Sequence, residues 1–204
     1  MSALVVKIGG SLWCSPLLAR WIAVLRAFPG PLTIVPGGGP FADAVRAAQP
    51  TMGFSDRAAH EMAVLAMEQY GLALVDKFAR LESAATPEEA GAVHASGNIA
   101  VWRPSAMAPR LNVAASWDVT SDSLSAIYAH ESGAARLLLI KSVDFDAAPG
   151  SRGLFDPCFA SHAAGLDVFI AGPAALDGAP EILARGGVAG SRVFLASSSR
   201  KIAS

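Results

Sequence analysis

The sequence predicts an α/β protein, a three-layer α/β/α sandwich around a mostly parallel central sheet. Three observations predict it. Apolar runs of strand length alternate with amphipathic stretches of helix length. Several of those runs are continuously apolar, as in strands covered on both faces. Glycine-rich turns follow the strands, and open parallel sheets gather ligands at the carboxyl ends of their strands. The chain has 204 residues, of which 52% are hydrophobic and 16% charged. That suits one domain over residues 1–204, with a core large enough to need no disulfide or metal staple. It is too apolar for disorder.

The elements follow in order. Leu4–Ile8 is the first strand. Ser15–Ala27 is a helix with Ser15 as its cap and Pro16 at its first position. Leu32–Val35 is the second strand, and Pro40–Ala48 is a helix that follows a glycine turn. Ser55–Leu81 is the longest helix. Its stripe of His60, Val64, Met67, Gly71 and Leu74 has helical spacing, and Met62, Leu65 and Met67 are assigned to the core. Thr86-Pro87-Glu88-Glu89 opens a helix with a cap, a proline and acids in the positive first turn. Further strands are expected at Asn98–Trp102, Arg136–Ile140, Asp167–Ala171 and Arg192–Leu195. Ser121–Ser132 is a helix closing at Gly133, and a last helix lies near Pro180–Arg185. Ser83–Gly97, Pro104–Ala115 and Asp144–Ala160 are the loosest segments.

Charge and composition exclude several functions. Sixteen Lys+Arg stand against 17 Asp+Glu, a net charge of -1. A general polyanion binder needs a basic face, so no nucleic-acid partner is expected and any anion site is a local cluster. The longest apolar runs, such as Leu137–Ile140, fall far short of the ~20 residues that span a bilayer. The amino terminus lacks the pattern of a signal peptide. A cytoplasmic protein with no membrane partner is the expectation. Cys14 and Cys158 form no disulfide framework or C-x-x-C motif and receive no role. No side chains are assigned as metal ligands.

Four signals fall after strands. The first strand ends in Lys7-Ile8-Gly9-Gly10-Ser11, where bare backbone lets N–H groups approach an anion and the next helix points its positive end there. Lys7 is unusual in an apolar strand: a buried ammonium needs a partner such as phosphate, unless it snorkels from a strand edge. The second strand ends in Pro36-Gly37-Gly38-Gly39-Pro40, with room for a bulky anion. Gly37 to Ala42 also fits G-x-G-x-x-A with Asp56 roughly 20 residues on, the loose dinucleotide fingerprint of an oxidoreductase. No G-x-x-x-x-G-K-S/T motif is present. The third signal is Thr120-Ser121-Asp122-Ser123 before a helix. Taken alone it reads as Ser121 capping and Asp122 decorating the first turn. The fourth is Lys141-Ser142-Val143-Asp144 after the apolar strand.

Taken in order, these four signals resemble the amino acid kinase family, over nearly the whole chain. Ala59–Gly71 is most similar to the branch holding the kinase of methanofuran biosynthesis, which converts an (aminomethyl)furanmethyl phosphate to the diphosphate. The same branch touches a storage protein that holds oxyanions. The resemblance implies the fold of that family, ATP with Mg²⁺, a small-molecule phosphate acceptor and a homo-oligomer. It implies that Lys7 bridges the transferring phosphoryl group and that Asp122 orients the catalytic lysine. Gly9, Gly10 and Ser11 would donate N–H groups to the nucleotide phosphates, with Lys141, Ser142 and Asp144 on the nucleotide. Gly37, Gly38 and Gly39 would hold the acceptor phosphate, with Arg57 and His60 as further substrate contacts. Arg57 is otherwise a solvated helix charge, and His60 a core-edge histidine. Trp13, Trp102 and Trp117 are candidates for an aromatic acceptor wall, or for a core or an oligomer interface. Many members carry a second catalytic lysine near the nucleotide. Asp156-Pro157-Cys158-Phe159-Ala160 has none, which leaves Lys141 or Arg152 to substitute. Other readings are a storage-type binding subunit or a kinase for uridylate, isopentenyl phosphate or an amino acid.

Overall fold

In the computed structural model, residues 2–111, 113–145 and 153–195 are described; Arg152 lies outside them. The apolar runs become strands. β1 (Leu4–Ile8), β2 (Leu32–Pro36) and β4 (Ile99–Trp102) are buried at every position. With β3 (Leu81–Ala84), β5 (Arg136–Ile140), β6 (Asp167–Ala171) and β7 (Ser191–Val193) they form one sheet in the order β3-β4-β2-β1-β5-β6-β7. Every described pairing is parallel except β6 with β7. Parallel neighbours require crossovers, and the helices supply them.

The two faces are covered separately. Leu4, Val6, Ile8, Ile34, Leu138 and Ile140 point to one side, under α1 (Leu17–Leu25), α7 (Ala179–Ala184) and the inner stripe of α3 (Asp56–Lys77). Val5, Val35, Leu137 and Leu139 point to the other, under α5 (Ser121–Glu131) and α6 (Phe159–His162). α4 (Pro87–Ala95) packs beside α5 on Ala84 and Ala100. α2 (Gly39–Met52) leaves the carboxyl end of β2 and lies against α3. Lys7 belongs to the α5 face, because it alternates with Val6 and Ile8.

Several expectations are corrected. α3 stops at Lys77, and Leu81 opens β3, which the sequence reading ran into the helix. Arg80, at φ 64, turns the chain out of the helix and into the strand. The stretch read as loose from Ser83 therefore holds a strand end and α4. Met67 is core, but Met62 and Leu65 are 39% and 51% exposed, on the outer side of α3. Trp102 is fully buried against Tyr128, ring centroids 4.8 Å apart, so it is core and no part of a binding wall. Among the described residues, no helix is long and apolar enough to cross a membrane.

Candidate active site

Lys7 sits in the middle of the sheet, in register with Val35 on one side and Leu139 on the other. It is only 5% exposed, and an ammonium there requires a countercharge. Asp122, the second residue of α5, supplies it: Lys7 Nζ lies 2.8 Å from Asp122 Oδ1. Lys141, immediately beyond β5, reaches the same carboxylate from the other side, with Nζ 2.7 Å from Oδ2 and 3.0 Å from Oδ1. One buried carboxylate thus bridges two ammonium groups brought by three elements. Asp122 is a first-turn acid of α5 but only 5% exposed, so it does more than decorate the turn. The capping residue of α5 is Thr120, not Ser121: Thr120 Oγ1 accepts the Asp122 N–H at 3.5 Å.

The electrostatics of this group favour an added anion. Burial works to raise the Asp122 pKa, but Lys7 and Lys141 outweigh it and hold the carboxyl below its usual range. Burial, together with the like charge of Lys7, pushes Lys141 down to about 8 against the pull of Asp122. Two cations share one carboxylate at the carboxyl edge of the sheet, where ligands bind in this architecture, with the Asp156 carboxylate near enough to act on Lys141.

Asp156 holds the group in place. Its Oδ2 accepts from Thr120 N at 2.8 Å, Thr120 Oγ1 at 2.9 Å and Ser123 N at 3.0 Å, and its Oδ1 accepts from Ser123 Oγ. A carboxylate from a distant loop therefore satisfies the free N–H groups of the first turn of α5. Asp156→Ala is expected to cost about 2 kcal/mol of stability, since hydrogen bonds to a charged acceptor are lost. Urea denaturation checks the value.

The two glycine turns are pressed together. A methyl group built on Gly10 would stand 2.7 Å from the Gly39 nitrogen, and one on Gly37 would stand 2.5 Å from the Gly10 nitrogen. Only hydrogen fits at either position. The Gly9 N–H is already donated to the Ile140 carbonyl and that of Gly37 to the Ile8 carbonyl, both at 2.9 Å. This corrects the expectation that those two glycines present free donors. The N–H groups of Gly10, Ser11, Gly38 and Gly39 make no backbone hydrogen bond among the described residues. Ser11 and Ser142 share a hydroxyl hydrogen bond at 2.7 Å, which ties the first turn to the loop after β5. Asp144 accepts the Ala174 N–H at 2.9 Å and so holds a neighbouring turn together.

A cavity of about 240 Å³ opens beside these turns, lined by Gly10, Ser11, Gly38, Gly39, His60 and Trp117 among others. Burial lowers the His60 pKa, with Glu61 opposing, so the imidazole is neutral near pH 7. Arg57 is not part of this lining; it is exposed and paired with Glu61, its Nε 3.2 Å from Oε1. Arg46 takes the place beside the cavity that was expected of Arg57. Trp13 is exposed and lies outside the lining. Gly39, Ala42, Asp43 and Arg46 line the cavity at the spacing of one helix face, a signal the sequence does carry for Arg46. Nothing local in the sequence marks Asp156.

Known proteins share this arrangement of strands. A uridylate kinase from Archaeoglobus fulgidus superposes with a TM-score of 0.66 at 14% identity, over 95% of this chain and all of that one. A UMP kinase from Bacillus anthracis gives 0.65 at 16% identity, over 94% of each chain. The sandwich is therefore the amino acid kinase fold. In sequence, the chain is 28% identical over 153 residues to the "[5-(aminomethyl)furan-3-yl]methyl phosphate kinase" of Methanocaldococcus jannaschii, covering 72% of this chain and 70% of that protein. In both sequence and fold the chain is similar to kinases of the amino acid kinase family. No family model matches it.

Proposed function

We propose that the protein is an ATP-dependent kinase that phosphorylates a small phosphate monoester to a diphosphate. Its acceptor is [5-(aminomethyl)furan-3-yl]methyl phosphate, in methanofuran-type cofactor biosynthesis. The observation that carries this reading is the Lys7–Asp122–Lys141 group beside two abutting glycine turns. Two polyanions must meet for transfer, and the reaction asks mainly for positioning and charge neutralisation. The relative that phosphorylates such an acceptor supports the choice of substrate.

In this reading the free N–H groups of Gly10 and Ser11 hold nucleotide phosphates, and those of Gly38 and Gly39 hold the acceptor phosphate. Lys7 stands between them. Lys141 takes the place of the second catalytic lysine, with Ser142 beside the nucleotide. An acceptor phosphate oxygen attacks the γ-phosphorus, a new P–O bond forms, and the bond to the β-phosphate oxygen breaks to release ADP. The attacking oxygen is already ionised near neutral pH, because a phosphomonoester's second pKa is about 6. No strong general base is needed. Asp122 is not available as one, since its oxygens are engaged by the two lysines. For the same reason it does not fit as a metal ligand; a magnesium ion would travel on the nucleotide's own phosphates.

Lys141 gives a pH signature. Its folded value of about 8 lies below the ordinary 10.5. Between these values the unfolded chain binds more protons, so this group's contribution to stability rises with pH across that window. Nucleotide affinity should move the opposite way, weakening as pH rises through about 8 and the ammonium is lost. Calorimetric titration of ADP at several pH values, alongside melting curves, checks both signs.

The deciding experiment is an assay of ADP release across phosphorylated small acceptors. Release that depends on the aminomethylfuran phosphate is expected. Release with uridylate, isopentenyl phosphate or an amino acid instead would reassign the acceptor. Saturable ATP binding with no acceptor-dependent release would favour a storage-type subunit.

A further inference from the structure

A hydrogen-bonded relay runs behind one wall of the cavity. Near the end of α2, Pro50 has no N–H for the Arg46 carbonyl. Gly53, at φ 70, then closes the helix in the left-handed region. The chain re-enters at once through Ser55, which caps α3. This corner carries Gln49 to the first turn of α3, where its Nε2 donates to Asp56 Oδ1 at 2.8 Å. The other end of the same amide, Gln49 Oε1, accepts the Trp117 indole N–H at 2.7 Å. One turn back, the Arg46 guanidinium lies 4.2 Å from the centroid of the Trp117 ring and pairs with Asp43 at 3.1 Å.

Asp43, Arg46, Asp56 and Trp117 all line the cavity, whereas Gln49 does not. Arg46 neutralises Asp43. Asp56 receives a neutral amide and, among the described residues, no cation. One cavity thus combines backbone N–H donors, a flat aromatic ring fixed by its indole nitrogen, and a carboxylate without a countercharge. An acceptor that satisfies all three carries a phosphate, a planar ring and an ammonium group.

We propose that Gln49 is a positioning residue for acceptor choice: it holds Trp117 for the acceptor's ring and Asp56 for its ammonium group. The inference rests on the reading of this cavity as the acceptor site. Loss of the amide would free the indole and the carboxylate together, although Gln49 touches neither acceptor group.

Calorimetric titration with two probes tests it: para-(aminomethyl)benzyl phosphate and para-methylbenzyl phosphate, which share phosphate and ring and differ in the amine. The native chain should prefer the amine probe by about tenfold, the range of one hydrogen bond to a charged group. Asp56→Asn should abolish that preference. Trp117→Leu should weaken both probes while keeping it. Gln49→Leu should do both. In a Trp117→Phe background, which has no N–H for the amide to hold, Gln49→Leu should remove only the amine preference. A preference retained in Gln49→Leu overturns the proposal whatever the change in overall affinity. So does a native chain that binds neither probe or binds both alike. If these binding results hold but the aminomethylfuran phosphate yields no ADP, only the acceptor named above is wrong.

Discussion

Lys7→Met is expected to slow phosphoryl transfer by ~10²-fold or more, the cost of removing one preorganised charge donor from a water-poor site. The change keeps the buried stem and deletes the ammonium. Asp122 retains Lys141 as its partner, so the fold should survive. A second reading accompanies the rate. Lys7 is one of the groups depressing the Lys141 pKa, so that pKa should rise in the variant, which lysine-detected NMR can follow. Normal turnover by folded Lys7→Met would remove Lys7 from the transfer step.

Asp122→Asn should be the most damaging substitution to stability. It leaves two ammonium groups facing each other in a buried site with no countercharge. Breaking a buried ion pair from one side costs ~3–5 kcal/mol, because the remaining charge is stranded. The chain has one escape, which is to lose a proton from a lysine. Without Asp122 to raise it, the Lys141 pKa drops below its native value of about 8, so the deficit measured by urea denaturation should shrink as pH rises toward about 8 and level off above it. Turnover should fall as well, since neither lysine keeps its position. An equal deficit at all pH values would mean that lost packing, not stranded charge, dominates.

The reach of the sequence can be judged from particular residues. Lys7 stands out because an ammonium in a continuously apolar strand demands an explanation from chemistry alone. The glycine turns stand out because backbone without side chains is costly unless something approaches closely. Asp122 is ambiguous in the sequence, since capping acids look the same, and only its burial between two lysines separates the readings. β3 is hidden because four residues with two buried positions, Leu81 and Ala84, on opposite faces carry too little pattern to end a long helix. Met62 and Leu65 mislead for a related reason: an apolar residue on a helix does not say which side faces inward when the helix is apolar on more than one side. Asp156 and Gln49 are invisible in the sequence. Each works through partners far along the chain, Asp156 some 33 residues from Ser123 and Gln49 some 68 from Trp117, and such pairings exist only once the sheet has assembled.

The contact between the turns after β1 and β2 has a further consequence. Because neither Gly10 nor Gly37 has space for even a methyl group, neither loop can move toward the other without pushing it. Occupancy on the donor side should then be felt on the receiving side without any relay of side chains, and the paired loops can diversify only by changing in concert.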